Sequence, residues 1–311
     1  MARRGKKKGR PVSGWIVLDK PVGMGSTDAV SKVKWLFQAD KAGHAGTLDP
    51  LASGLLMVLF GEATKFAGPL LDADKEYLAT LKLGQRTSTG DAEGAVLQTR
   101  DISFSRDTLA AVLERFRGEI DQVPPMHSAL KHKGTPLYRL ARRGEEVERT
   151  PRRVRISLLE VTQHDGERLV LRVVCSKGTY IRVLGEDIGE ALGCGAHLGG
   201  LRRTGSGRFR IEHAATLEAL EDAGERQRRL LTLPALLEDL PRAELGAAEE
   251  TRLRQGQTLQ ISGLQPGLCA VVRPDGEVIG LGSADAHGLK PLRLTQTAEN
   301  HLKSAPHAKR E

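Results

Sequence analysis

The sequence predicts an α+β fold: a large mixed, mainly antiparallel sheet with flanking helices, followed by a small β-rich C-terminal unit. Three observations carry this expectation. Segments of strand period and helix period interleave without the strict βαβ rhythm of a doubly wound sheet. The pattern changes at about Leu236 and leads into short strands around a Pro-Asp-Gly turn. At 311 residues the chain exceeds one typical core, so a main domain plus a smaller one is the natural division.

Taken in order, Met1 to Arg10 carries Arg3, Arg4, Lys6, Lys7, Lys8 and Arg10 without an apolar partner. This predicts a disordered basic arm over residues 1–12, either a solvated tail or a contact for phosphates. Ser26 offers a helix N-cap, and Val30, Val33 and Phe37 recur at helical spacing behind it. The apolar run Leu55-Leu56-Met57-Val58-Leu59-Phe60 predicts a buried strand. Tyr77, Ala79, Leu81 and Leu83 alternate with Leu78, Thr80 and Lys82, the period of a second strand. Ser105 through Phe116 predicts a helix with Leu109, Val112, Leu113 and Phe116 on one face and Gly118 as its stop.

Residues 123–153 differ. They open with Pro124-Pro125 and carry Lys131, His132, Lys133, Arg139, Arg142, Arg143, Arg149, Arg152 and Arg153 around Tyr138. The stretch is too basic for a core element and too long for an ordinary loop. Beyond it, Leu169, Leu171, Val173 and Cys175 alternate with Val170, Arg172 and Val174 as a strand. Gly178-Thr179 then opens a helix bearing Ile181, Leu184, Ile188 and Leu192. Leu268 to Arg273 and Glu277 to Leu281 flank Pro274-Asp275-Gly276, a hairpin signal. The last residues, 301–311, have little apolar content and predict a disordered tail.

A formal net charge of +8 and an isoelectric point near 9.5 call for a polyanionic partner, either nucleic acid or an anionic membrane surface. The longest apolar run is too short to cross a bilayer, and no apolar stretch follows the basic N-terminal residues, so a cytoplasmic protein is expected. Cys175, Cys194 and Cys269 have no metal-ligand spacing and are odd in number, which suits a reducing compartment rather than disulfides or zinc. Cys175 and Cys269 read as small apolar strand residues. No phosphate-cradling glycine loop is present: Gly84 to Gly94 lacks the spacing and the lysine.

The most informative run is GHAGTLDPLASGLL at residues 43–56. It sets Asp49 in a Gly- and Pro-punctuated turn ahead of the buried strand, a rigid platform for a carboxylate. Together with GWIVLDKPVGMGST (14–27), GEATKF (61–66), KEYLATLKLGQRTSTGDAEG (75–94), CSKGTYIRVLGEDIG (175–189) and LRRTGSGRF (201–209), it resembles the TruB-type tRNA pseudouridine synthases over most of residues 14–215. Departures fall at Gly25, where a threonine is usual, at Val183, where a small polar residue is usual, and at both termini.

The resemblance implies a pseudouridine synthase fold over residues 13–235, with 123–153 as a mobile RNA-binding insertion. It also implies a PUA-like RNA-binding domain over 236–300. The implied reaction isomerises the uridine at position 55 in the tRNA T-loop, with the tRNA T-arm as partner. No cofactor, metal, membrane or obligate protein partner is expected, and the chain is expected to be a monomer. Asp49 is implied as the indispensable catalytic residue, with covalent attack and proton abstraction both open. His44 is implied to occupy the place of the extruded base or to stack within the disturbed loop, Tyr77 to stack on the flipped uracil, and Arg182 to pair with Asp49. Tyr180 and Leu201 carry over as pocket residues. Each also has a purely structural reading: a hydrogen-bonded loop histidine for His44, and ordinary packing for Tyr77, Tyr180 and Leu201. Asp91 reads as a turn residue in a supporting role, and Lys20 is left unassigned. Two alternatives remain: a pseudouridine synthase acting on another RNA, and a non-catalytic tRNA-binding or folding factor on the same fold.

Overall fold

The computed structural model describes residues 9–296. Most of the expected basic arm, the tail over 301–311 and the last four residues of the expected C-terminal domain therefore lie outside the described residues.

The main sheet has ten strands. Its path uses β1 (Gly14–Lys20), β3 (Ala52–Phe60), β4 (Lys75–Leu83), β5 (Gly118–Gln122), β6 (Arg152–Asp165), β7 (Arg168–Cys175), β8 (Ala196–Ser206) and β9 (Ala215–Thr216), in the order β9-β1-β3-β8-β4-β7-β6-β5. Two short strands pair off this path: β2 (Ala42–Ala45) on β3, and Phe209–Arg210 on β8. The pairings are antiparallel except β1 with β9 and β3 with β8, so the sheet is mixed and mainly antiparallel. Three longer helices flank it: α1 (Ser26–Leu36), α2 (Arg106–Glu114) and α3 (Ile181–Ala191).

The uninterrupted apolar run of β3 has a simple cause, because both of its faces are covered. Leu56, Val58 and Phe60 face the side where α1 lays Ala29, Val30, Val33 and Leu36. Leu55, Met57 and Leu59 face the opposite side, where they join Trp15, Phe66 and Leu70 with Val272, Val278 and Leu281 of the C-terminal unit. Full burial of an apolar side chain contributes about 1.5–3 kcal/mol before chain entropy is counted. β3 is therefore a firm anchor for the loop that precedes it.

The C-terminal unit is a four-stranded sheet built from β10 (Arg242–Glu244), β11 (Gly267–Val272), β12 (Val278–Asp285) and β13 (Gly288–Leu294), with the helix α4 (Ala247–Arg254). The predicted hairpin around Pro274-Asp275-Gly276 is the β11–β12 connection. One face of this sheet packs its own core of Leu245, Leu253, Leu259, Val271, Ile279 and Leu289, while the other shares the core of the main sheet.

Three local expectations are corrected. Ser26 does not cap α1; Gly25 holds the cap position without a side-chain bond, because the Ser26 hydroxyl is engaged elsewhere. The helix after Gly178-Thr179 starts at Ile181, since the Thr179 hydroxyl donates back to the Ser176 carbonyl and Tyr180 takes the cap position. The insertion ends earlier than 153: Arg152 and Arg153 pair in β6 with Gln122 and Asp121 of β5, and Arg153 bonds Glu119 and Asp121 across that edge. Within the insertion, the small hairpin Lys131–His132 with Thr135–Pro136 and the helix Leu137–Ala141 give it structure, with Leu137 and Leu140 buried.

Candidate active site

The loop between β2 and β3 carries Asp49 and is fastened from several sides. The buried Ser26 hydroxyl accepts from the Leu48 amide at 2.7 Å and donates to the Leu48 carbonyl at 2.9 Å, holding the residue before Asp49 at both of its backbone groups. Ala52 N–H donates to the Asp49 carbonyl at 3.0 Å, and Gly23 N–H to the Pro50 carbonyl at 2.8 Å. Leu48 itself is in the core beside α1. The Asp49 side chain, by contrast, is 48% exposed, so a rigid backbone presents an accessible carboxylate.

Arg182, the second residue of α3, faces that carboxylate, with Nη2 3.0 Å from Asp49 Oδ2. Its remaining donors are also occupied. Nη2 donates to the His127 carbonyl at 2.7 Å and Nη1 to the Thr89 carbonyl at 3.3 Å, while Nε lies 3.5 Å from Asp91 Oδ2. Asp91 is buried and held in its turn by the Thr89 hydroxyl and the Glu93 amide. The planar guanidinium thus bridges two carboxylates, a geometry an ammonium does not reproduce. The start of α3 is set by Gln122 at the end of β5. Its buried amide donates to the Tyr180 carbonyl at 3.1 Å and accepts from the Tyr180 N–H at 2.7 Å.

A second arginine sits behind the cleft. Arg203 of β8 is 1% exposed and lies in register between Gly54 of β3 and Tyr77 of β4. Its Nε donates to the Leu55 carbonyl at 2.7 Å, Nη2 to that of Gly46 at 3.0 Å, and Nη1 to that of Thr47 at 3.4 Å. Among the described residues no carboxylate lies within ion-pair distance of it. Glycine at position 54 permits this approach: a Cβ there would stand 2.3 Å from the Arg203 carbonyl oxygen, and φ is +101°.

This buried charge colours the surrounding groups. Burial, followed by the charge of Arg203, pushes the His44 pKa down. Burial pushes Lys75 down to about 8, aided by Arg203 and opposed by Asp72. Burial lowers Lys20 as well, with Asp49 opposing the shift and Arg203 adding to it. Both lysines are tied to carbonyls: Lys20 to those of Pro21 and Met24, and Lys75 to those of Leu70, Leu71 and Ala73. Burial raises the pKa of the Tyr77 hydroxyl, with Arg203 opposing, and burial raises that of Tyr180.

Asp49, Tyr77, Tyr180, Arg182 and Leu201 all line one cleft of about 300 Å³, the small end of the range for ligand sites. Leu201 sits in β8 between Ala52 and Ala79. Lys75 and Arg203 line the same cleft, as do His127 and Ser128 of the insertion. His44 does not line it; it lies on β2 opposite Val58, with its Nδ1 buried and lacking a hydrogen-bond partner. Reading the sequence missed Arg203, Gln122 and the true role of Ser26. For Arg203 a signal existed, because it stands two residues from Leu201 and so shares that residue's face of the strand. Among the described residues no group of three His, Cys, Asp or Glu side chains is placed to hold a metal ion. No helix among them is long and apolar enough to cross a membrane.

The fold is that of the pseudouridine synthases, as solved structures show. A chain from a Cbf5-Nop10-Gar1 complex superposes with a TM-score of 0.71 at 29% identity, over 91% of this chain and 84% of that one. A chain from an H/ACA RNP bound to a substrate RNA containing 2'-deoxyuridine gives 0.70 at 27%, over 91% and 85%. The TruB family pseudouridylate synthase N-terminal domain matches residues 34–181, the tRNA pseudouridylate synthase B C-terminal domain residues 182–255, and the tRNA pseudouridine synthase II C-terminal domain residues 240–294. The tRNA pseudouridine synthase B of Burkholderia mallei (strain NCTC 10247) is 52% identical over 297 residues, 93% of this chain and 98% of that protein. That of Thiobacillus denitrificans is 51% identical over 290 residues, 93% and 97%. The chain belongs to the TruB family; it is a pseudouridine synthase, an isomerase.

Proposed function

We propose that this enzyme isomerises the uridine at position 55 in the T-loop of tRNA, with Asp49 as the indispensable carboxylate. The observation that carries the reading is the Asp49–Arg182 ion pair of 3.0 Å at a cleft whose wall includes Tyr77 and Leu201. The naming of relatives that share 52% identity over nearly their whole length as tRNA pseudouridine synthases supports tRNA as substrate.

The reaction breaks the C1′–N1 bond, turns the uracil and joins C1′ to C5; a proton leaves C5 and N1 gains one, so no redox partner is consumed. The base must first leave its stack, at a cost of a few kcal/mol. Tyr77 offers an aromatic face for the extruded uracil, Leu201 and Tyr180 close the pocket around it, and Arg182 fixes the rotamer of Asp49. Asp49 then acts on the sugar C1′ or the base, by covalent attack or by proton abstraction. His44, on β2 outside the cleft lining, takes the place of the extruded base or stacks within the disturbed loop. Residues 13–235 form the catalytic domain, the insertion that starts near 123 closes over the T-loop, and residues 236–300 form a PUA-like RNA-binding domain. The enzyme works as a monomer in the cytoplasm, without cofactor.

The test is incubation of the purified chain with an unmodified tRNA transcript, followed by position-resolved mapping of pseudouridine. Product at the T-loop uridine alone, lost in Asp49→Asn with tRNA binding retained, is the expected result. Product at another site reassigns the substrate. Binding without product moves the protein to the RNA-binding class, and loss of binding together with activity in Asp49→Asn removes the assignment of that residue.

A further inference from the structure

Of the buried side-chain nitrogen and oxygen atoms without a hydrogen-bond partner among the described residues, Ser128 Oγ alone belongs to a residue that lines the Asp49 cleft. Ser128 is 6% exposed, and a hydroxyl so covered is costly to leave unmet. The other serine and threonine hydroxyls of the lining have ordinary settings. Ser176 accepts from the Arg155 N–H, Thr179 donates to the Ser176 carbonyl, and Thr47 is exposed. The backbone around Ser128 is held on both sides. Its N–H donates to the Met126 carbonyl at 2.9 Å, and its carbonyl accepts from the Tyr138 N–H at 3.0 Å. One residue earlier, the His127 carbonyl accepts from Arg182 Nη2 at 2.7 Å, and that same nitrogen lies 3.0 Å from Asp49 Oδ2.

The serine is thus tied through one guanidinium to the Asp49 carboxylate. It also acts on the Tyr180 hydroxyl, drawing its pKa down against the larger upward effect of burial, and the same hydroxyl feels Arg182 and Asp49. The two hydroxyls are neighbours at the cleft, although Ser128 Oγ lacks the geometry of a hydrogen bond to Tyr180. Closing such a bond would use one of their two hydrogens and leave the other for a third group. Tyr77 and Leu201 supply apolar surface to the same cleft, which suits the face of a planar base but not its edge. Uracil carries two carbonyl oxygens and an imide N–H on that edge, and the ribose adds a 2′-hydroxyl. A covered hydroxyl beside an apolar wall is the arrangement that pairs with such an edge and rejects a ligand without it.

We propose that the Ser128 hydroxyl binds an oxygen of the uridine drawn into the cleft, so that Ser128 belongs to the residues that select the nucleotide. This rests on the reading above of the Asp49 cleft as the place of reaction, and adds to it a contact from the segment that follows β5. The uracil carbonyls and the ribose 2′-hydroxyl share the chemistry that the serine meets, and altered nucleotides tell them apart.

The test uses the full chain and measures kcat/KM on tRNA transcripts carrying uridine, 2-thiouridine, 4-thiouridine or 2′-deoxyuridine at the target position, alongside thermal unfolding. With uridine, Ser128→Ala should lower kcat/KM about two- to tenfold, as loss of one neutral hydrogen bond does. Ser128→Cys, close in size but with a weak donor, should fall with alanine. The melting temperature of Ser128→Ala should not drop, because no group of the protein loses a bond. With one of the altered nucleotides the alanine penalty should shrink toward unity, and that nucleotide identifies the oxygen. An equal penalty on every transcript, or a wild-type rate for Ser128→Ala on uridine, overturns this inference and leaves the reading of Asp49 intact. A rate loss accompanied by a lower melting temperature assigns the hydroxyl a structural role and overturns it as well. Failure of the wild type to convert the uridine transcript, or full activity in Asp49→Asn, removes the reading of the cleft and this inference with it.

Discussion

Arg203 provides the sharpest test of how the loop that carries Asp49 is held. Arg203→Met removes a buried cation that bonds the carbonyls of Leu55 at 2.7 Å and Gly46 at 3.0 Å, with a weaker contact to Thr47 at 3.4 Å. Two carbonyls left without donors cost about 1–3 kcal/mol each. Against this, a charge buried without a carboxylate partner carries a desolvation penalty of several kcal/mol, and methionine restores that amount in part. The two effects largely cancel, so the net loss of stability should stay below about 3 kcal/mol, or roughly 5 °C of melting temperature in a chain of this size. Activity has no such compensation. Gly46 and Thr47 lead directly into Asp49, and a displacement of about 1 Å at a reacting group costs on the order of a hundredfold in rate. The assay is single-turnover pseudouridine formation alongside thermal unfolding, for Arg203→Met and Arg203→Lys. Lysine keeps the charge but loses the fork that spans carbonyls on two segments, so it should fail to restore the rate. Full rescue by lysine would show that charge rather than loop geometry matters, and a wild-type rate in Arg203→Met would refute the argument altogether.

Arg182→Met should destabilise the fold by about 3–5 kcal/mol, because the buried Asp91 then lacks its counter-charge. Arg182→Lys should melt closer to wild type yet lose most of its activity, which thermal denaturation and single-turnover kinetics together will show. The Lys75 pKa of about 8 lies below the ordinary 10.5, so its buried ammonium opposes folding at neutral pH and the penalty fades as pH rises through 8. Between pH 7 and 9.5 this group should add about 2 kcal/mol of stability. Cys175, pushed up to about 11 by burial, tilts the other way, so the effect is read as the difference between wild type and Lys75→Met in denaturant titrations. An identical slope in both proteins would contradict the depressed pKa.

Much of this architecture is legible in the chain because burial leaves a period. Leu55 to Phe60 is apolar throughout since α1 covers one face of β3 and the C-terminal unit the other. The alternation in Tyr77 to Leu83 and in Leu169 to Cys175 records strands with one face in the core around α2 and α3. What stays hidden is polar chemistry that leaves no period. Ser26 looks like a helix cap because its hydroxyl precedes an amphipathic run, but a hydroxyl bonds whichever backbone groups lie nearest, and here they belong to Leu48. Gln122 gives no local sign that it will clamp a peptide 58 residues away. In the insertion, Leu137 and Leu140 have helical spacing, yet the surrounding arginines mask it. His44 stands on β2 outside the cleft that Asp49 lines, so its expected place beside the vacated stack is a matter separate from the cleft itself.

The Asp49–Arg182 ion pair is also coupled to the segment that follows β5 by a single kind of contact. Arg182 Nη2 is shared between Asp49 Oδ2 at 3.0 Å and the His127 carbonyl at 2.7 Å, and His127 belongs to the segment that follows Pro124-Pro125. The root of that segment is fixed, because Gln122 is locked to Tyr180. Displacing the His127 carbonyl by even 1 Å would break a charge-assisted hydrogen bond and free one guanidinium hydrogen for Asp49 or for a bound substrate oxygen. Such an exchange changes the electrostatics of the carboxylate without moving the loop that carries it. A shift of the segment around His127 therefore has a direct physical route to the Asp49 carboxylate, and on the proposed reading RNA binding would supply that shift; the backbone anchors at Ser26, Gly23 and Arg203 ensure that the change is felt at the side chain of Asp49 rather than dissipated in its loop.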